Sequence, residues 1–157
     1  SNSIFSLNIK IQSLMYIPLL LFSGKIIFNS LPEYVFKISI KKVLIKVFTL
    51  SSLWGFLIII LSDFLLINKT SFYIYYVVFF SFSTTLMQIY PIYISRYVIS
   101  KQTKKLIIIP AIALASSITI LFLFLNIDTL ANYSYATACL SFSSIFFILL
   151  KKFSPKS

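Results

Sequence analysis

One apolar stretch of the chain carries polar side chains at helical spacing. Five residues follow one another at steps of 3, 4, 3 and 4 positions, which puts them on one stripe of an α-helix: Ser81, Thr84, Gln88, Pro91 and Ser95. Such a stripe can bind a polar substrate where the helix lines a hydrated cavity, or it can hydrogen-bond to neighbouring helices where the helix packs. The spacing is compatible with both, and Gln88 is the best candidate for a substrate contact.

Lys25 is a cation inside another apolar stretch, six residues before Leu31. A lysine at the centre of a membrane helix costs about 2.5–3.5 kcal/mol on insertion scales. One interpretation is a cation that faces a cavity and meets an anionic substrate. The alternatives are an amine that reaches the nearby interface, against the lean of helical side chains toward the N-terminus, or a span placed wrongly. The candidate substrate-binding residues are Lys25, Ser81, Thr84 and Gln88.

Residues that could form a disulfide, bind a metal ion or carry out catalysis are scarce in the sequence. The chain has no histidine, three Asp and Glu residues and one cysteine, Cys139. These cannot supply an internal disulfide, a zinc cluster or a catalytic triad. Asp63 lies near the end of an apolar stretch, where it is either a solvated interfacial residue or a cation-coupling one. We therefore expect no catalytic residue, no metal site and no cofactor, and a protein that is not an enzyme.

The elements that must position these residues are membrane spans. Hydrophobic residues make up 59% of the 157 and charged residues 11%, whereas soluble domains carry about 25% charged residues. Stretches of about 20 apolar residues, enough to cross ~30 Å of hydrocarbon, occur five times: 11–31, 47–67, 72–94, 106–127 and 130–150. The sequence thus predicts an all-α polytopic protein, with residues 1–157 as a single membrane domain.

The net charge of +11 sets the expected orientation. Eleven cations fall on one side of the predicted spans: Lys37, Lys41, Lys42, Lys46, Arg96, Lys101, Lys104, Lys105, Lys151, Lys152 and Lys156. The other side has Lys10 and Lys69. Short cytoplasmic loops collect Lys and Arg, so we expect a cytoplasmic C-terminus, an external N-terminus and no nucleic-acid partner.

Two further expectations concern the loops and the extent of the chain. Residues 32–46 alternate lysines with apolar residues, as expected of a helix that lies in the cytoplasmic interface. An external N-terminus that begins with Ser1 and has no signal peptide indicates the C-terminal piece of a longer protein. The alternative is a complete small protein whose initiator methionine was removed.

Three segments resemble the C-terminal half of oligosaccharide (O-antigen-type) flippases, in the superfamily that also holds multidrug-and-toxin extruders. They are a proline-containing turn at 31–34, a basic loop at 95–105 that leads into an Ile/Ala-rich span, and a small-residue turn at 131–138. The last departs from the family, which usually has glycines where Ala131 and Ser134 stand. The resemblance implies that the five spans correspond to helices eight to twelve of a twelve-helix fold built from two bundles.

That resemblance implies a function. Such a protein would carry an anionic lipid-linked oligosaccharide across the cytoplasmic membrane by alternating access, for O-antigen or capsule biosynthesis. Its partners would be the lipid bilayer and an N-terminal half of the same chain. One alternative is an ion-coupled multidrug exporter, for which a deep carboxylate is expected. Another is a non-catalytic membrane subunit or anchor, in which the polar stripe only packs against partner helices.

Overall fold

The computed structural model describes residues 2–28, 35–61, 64 and 73–156; of residues 2, 3, 18–28 and 73 it describes the backbone only. Within these ranges all regular structure is helical, which confirms the predicted all-α class. The helices are α1 (Asn2–Phe28), α2 (Ile40–Ile60), α3 (Tyr73–Met87), α4 (Tyr90–Ile99), α5 (Lys105–Leu125) and α6 (Ser134–Lys152), the last preceded by a 3-10 turn (Ala131–Tyr133).

Four spans in the described ranges are long and apolar enough to cross a membrane: Ile40–Ile60, Ile74–Ile99, Lys105–Leu125 and Ala131–Lys152. The chain is therefore a polytopic membrane protein. The second of these spans consists of α3 and α4 together. The first predicted span, 11–31, falls on α1 up to Phe28, and residues 29–31 lie outside the described residues.

The start of α2 differs from the expected boundary. Residues 40–46, predicted as part of an interfacial segment, are instead the first two turns of α2. No glycine or proline interrupts them, and Ser39 precedes them in an extended conformation at the N-cap position. Lys41, Lys42 and Lys46 are exposed, so the helix includes them without burying a charge inside the chain. Residues 32–34 lie outside the described residues.

The broken span packs at the centre of the helices. α3 contacts α1, α2 and α6, whereas α5 packs mainly along α6. Gly55 on α2 permits a close approach: a Cβ placed there would lie 3.2 Å from Val77 Cγ1 and 3.9 Å from Met15 Cε. Burial of α3 and α4 on several sides makes this span the inner one of the described bundle.

Two apolar clusters fill the interior on either side of the break. One consists of Leu7, Ile11, Met15, Ile58, Tyr76, Val77, Phe80 and Ala136. The other consists of Ile89, Tyr90, Tyr93, Tyr97, Ile109, Ala113, Phe146 and Leu150. Along the broken span, Ser81, Thr84 and Gln88 thus lie between the residues of the two clusters.

The helix ends form two chemically different ends of the bundle. The starts of α2 and α5 and the ends of α4 and α6 meet at one of them, which we call the basic end. There Lys41, Arg96 and Lys151 line one cleft, and the Lys105 amine lies 6.0 Å from the centre of the Phe153 ring. At the opposite end the Tyr76 hydroxyl donates to the Asn132 carbonyl at 2.6 Å. Lys41, Arg96 and Lys151 come from three separate basic segments of the sequence, and the structure brings them to the same end of the bundle.

Candidate functional site in the broken span

The span Ile74–Ile99 is interrupted at Gln88 and Ile89. The Ile89 amide donates to the Leu86 carbonyl at 3.1 Å, a three-residue turn in place of the regular four-residue step. Pro91 follows in the first turn of α4. Since proline has no amide hydrogen, it cannot donate to the Met87 carbonyl four residues earlier. The sequence thus breaks the helix in the middle of a membrane span.

Three of the five residues of the stripe are buried inside the described chain, and Pro91 and Ser95 are half-buried. Ser81, Thr84 and Gln88 are all buried. The Thr84 hydroxyl donates to the Phe80 carbonyl at 2.8 Å, and the Ser95 hydroxyl donates to the Pro91 carbonyl at 2.8 Å. Those two hydroxyls are therefore satisfied by their own helix. The structure brings Ser81, Thr84 and Gln88 to one buried side of α3 and its end.

Gln88 is different because its carbonyl is unsatisfied. The side chain is 2% exposed, and its Oε1 has no hydrogen-bond partner among the described residues. A buried acceptor without a donor costs about 1–3 kcal/mol. Such an atom in a native structure calls for an explanation, and a ligand that donates a hydrogen bond is one.

A chain of hydrogen bonds from two other helices ends at Met87, the residue before Gln88. The Tyr135 hydroxyl donates to Gln12 Oε1 at 2.7 Å, Gln12 Nε2 donates to the Tyr16 hydroxyl at 3.3 Å, and that hydroxyl donates to Met87 Sδ at 3.3 Å. Sequence reasoning missed Gln12 and Tyr16. Their spacing of four residues within an otherwise apolar stretch was the available signal.

A second polar contact ties the broken span to α6. Ser83 and Ser143 lie 2.6 Å apart, hydroxyl to hydroxyl, and both are buried. The Ser143 hydroxyl also donates to the Cys139 carbonyl at 3.0 Å, so the proton between the two serines belongs to Ser83. Beyond the break, the Tyr90 hydroxyl donates to the Ser143 carbonyl at 2.8 Å. These contacts hold α6 against both halves of the broken span.

The side chains of two candidate residues, Lys25 and Asp63, lie outside the described part of the chain. Lys25 lies in the last turn of α1, but its side chain is outside the described residues. Asp63 lies outside the described residues with both its backbone and its side chain. Their predicted roles therefore remain predictions. Asp128, the one acidic residue within the described ranges, is exposed in the turn after α5.

The basic end carries a cleft of about 690 Å³. Five cations line it: Lys41, Arg96, Lys151, Lys152 and Lys156. Arg96 is fixed by two hydrogen bonds, from Nε to the Val35 carbonyl at 3.1 Å and from Nη2 to the Ile38 carbonyl at 3.2 Å. Its guanidinium also lies 5.7 Å from the centre of the Tyr93 ring. The cleft thus brings five positive charges together beside a guanidinium that is held in place.

No family model, curated protein or solved structure matches this chain. Its function must therefore be argued from the site. Within the described residues no cluster of three or more His, Cys, Asp or Glu side chains could hold a metal ion. What the arrangement offers is a buried hydrogen-bond acceptor at a break in a membrane helix, and cations at one end of the same bundle.

Proposed function

We propose that this chain is part of a transporter that flips a lipid-linked oligosaccharide across the cell membrane by alternating access, for surface polysaccharide biosynthesis. The observation that carries the proposal is the break at Gln88 and Ile89, with its buried and unsatisfied amide carbonyl. The resemblance of three segments to oligosaccharide flippases supports the choice of substrate.

A broken helix favours transport for a physical reason. Irregular backbone at membrane depth is tolerated where it is buried in protein or lines a water-filled cavity. In transporters, discontinuous helices commonly form the substrate site near the middle of the membrane. Sugar hydroxyls are hydrogen-bond donors, so an oligosaccharide would supply the donor that Gln88 Oε1 lacks. Opening of the bundle on one side would expose the site to the substrate.

The charge pattern supports the direction and the class of substrate. A lipid-linked oligosaccharide carries phosphate, and the cations of the basic end would attract it to one face of the membrane. The excess of Lys and Arg at that end favours a cytoplasmic location for it and for the C-terminus. On this proposal the substrate is collected from the cytoplasmic leaflet and released in the outer one.

A second candidate function is that of a non-catalytic membrane subunit. The hydrogen bond between Ser83 and Ser143, and the hydroxyls of Thr84 and Ser95 that bond within their own helix, favour it. These contacts are what a stripe that only packs would make. They leave Gln88 Oε1 unexplained, which is why we prefer the transporter.

Flipping by the full-length natural protein in proteoliposomes tests the proposal. The substrate is a fluorescent lipid-linked oligosaccharide, and the readout is the rate at which it becomes protected from a membrane-impermeant quencher. We expect the protein to accelerate flipping over protein-free vesicles. Gln88→Leu should slow it about tenfold, because a sugar hydroxyl buried without its acceptor costs about 1–3 kcal/mol and 1.4 kcal/mol is a factor of ten.

The matched control is Thr119→Val, which removes an exposed hydroxyl on α5 that bonds only within its own helix. It should flip at the rate of the unmodified protein. No acceleration by the unmodified protein would reject transport in favour of the subunit. Equal rates for Gln88→Leu and the unmodified protein, with equal amounts reconstituted, would remove Gln88 from the site.

A further inference from the structure

Two cavities adjoin at the basic end, and their linings have opposite chemistry. The first is the cationic cleft described above. The second is a groove of about 420 Å³ between α2, α3 and α6. Leu44 lines both, so the groove and the cleft adjoin at this side chain.

The groove has the chemistry of a hydrocarbon site. Aromatic and aliphatic side chains from three helices line it, among them Phe48, Phe82, Leu86 and Leu140. Phe48 and Phe82 are 41% and 44% exposed, and their ring centres are 5.3 Å apart. The groove thus lies on the outside of the bundle, in the region where a membrane protein meets acyl chains.

The cleft has the chemistry of a phosphate site. Five cations line it, and no acidic side chain among the described residues does. The nearest acidic residue in the sequence is Glu33, which lies outside the described residues. Arg96 is held in place by the carbonyls of Val35 and Ile38. Because a guanidinium has five N–H groups, hydrogen-bond donors of Arg96 remain for a ligand.

We propose that the cleft and the groove together bind one anionic phospholipid of the surrounding bilayer, with its phosphate among the cations and one acyl chain along the groove. The apolar groove adjoins the cations at Leu44, which favours a lipid over a free phosphate, because phosphate would use the cleft alone. The groove reaches Leu86 beside the break, but lipid binding by the cleft and the groove requires no transport. Arg96 is eight residues beyond Gln88, or roughly 12 Å along a helix, so this inference does not depend on the proposed function.

Native mass spectrometry of the purified full-length protein tests the inference. The protein is incubated in detergent with dioleoyl phosphatidylglycerol, with dioleoyl phosphatidylcholine or with inorganic phosphate. We expect one phosphatidylglycerol to remain bound, at a lipid concentration where phosphatidylcholine and phosphate do not. Lys41→Gln combined with Lys151→Gln should weaken binding about 10- to 30-fold, given about 1 kcal/mol for each cation at an anionic lipid.

The matched control is Lys42→Gln combined with Lys104→Gln. It removes the same charge from the same end of the bundle, from exposed residues that do not line the cleft. It should bind phosphatidylglycerol like the unmodified protein. Thr49→Phe, which fills the groove from α2, should weaken lipid binding and leave the cleft cations in place.

Three results would overturn the proposal. Equal weakening of phosphatidylglycerol binding in the two lysine double variants would mean that the basic end attracts anionic lipid as a whole, without a specific site. Displacement of phosphatidylglycerol by inorganic phosphate at the same concentration would assign the cleft to a soluble anion. Unchanged binding in Thr49→Phe would separate the groove from the cleft. If the Lys41 and Lys151 pair does not fold, Lys152→Gln combined with Lys156→Gln makes the same test from the same cleft.

Discussion

Two membrane spans of this protein differ in how much of their surface the rest of the chain buries. In the broken span Ile74–Ile99, 61% of the most apolar stretch is buried inside the chain, and in Lys105–Leu125 only 17% is. Yet the broken span has the lower mean hydropathy of the two. In water the more apolar helix would be the buried one. In lipid the acyl chains solvate apolar side chains, so polar and small groups decide which helix lies inside.

Hydroxyl groups show the same difference at atomic detail. On α5 the Ser116 and Thr119 hydroxyls are exposed and donate to carbonyls four residues earlier in their own helix. In the broken span the Ser83 hydroxyl bonds to Ser143 on α6. A hydroxyl that bonds within its own helix can face lipid at little cost. A hydroxyl without such a bond needs a hydrogen-bond partner on a neighbouring helix. The Ser83 contact thus distinguishes the inner span from the outer one, although Thr84 and Ser95 in the inner span also bond within their own helix.

The largest effect should come from filling the space beside the broken span. Gly55→Leu places a side chain where a Cβ alone would be 3.2 Å from Val77 Cγ1. Overpacking of this kind costs about 1–3 kcal/mol. Ala115→Leu adds the same side chain on the exposed side of α5 and should be near neutral. Unfolding in detergent at increasing temperature measures both, and equal midpoints would show that the two spans are packed alike.

A smaller effect is expected from the hydrogen bond between Ser83 and Ser143. Ser83→Ala should destabilise the fold by about 1 kcal/mol, within the range for interhelical hydrogen bonds in membranes. Thr119→Val on α5 should change stability little. The double variant with Ser143→Ala isolates the pair. Independent, additive effects of Ser83→Ala and Ser143→Ala would show that the contact does not hold α6 to the broken span.

The sequence predicts the spans better than the contacts between them. The stripe contains Ser81, Thr84 and Gln88, which are buried, but not Ser83, whose hydroxyl contacts α6. Pro91 was the available signal for the break. The pairing of Ser83 with Ser143 could not be predicted, because α6 has several serines of similar local sequence and only the tertiary packing selects one. Charge counting grouped the lysines on one side, but only the rotation of α2 determines that Lys41 lines the cleft while its neighbour Lys42 does not.

On the proposed function, the broken span is an inner helix that water and substrate reach, while α5 faces lipid. Cysteine labelling in the full-length protein tests it most directly, in a Cys139→Ser background that removes the one native thiol. A small water-soluble thiol reagent reacts with thiolate, which forms where water can solvate it. The test positions are Gln88→Cys at the break, and Phe82→Cys and Leu114→Cys on exposed faces.

In membranes where transport proceeds, we expect Gln88→Cys to react and the lipid-linked oligosaccharide to slow that reaction. Phe82→Cys and Leu114→Cys should stay unlabelled, because acyl chains exclude the reagent. Equal protection at all three positions would contradict the account, since it would mean that the break is packed as permanently as the outer faces are covered by lipid.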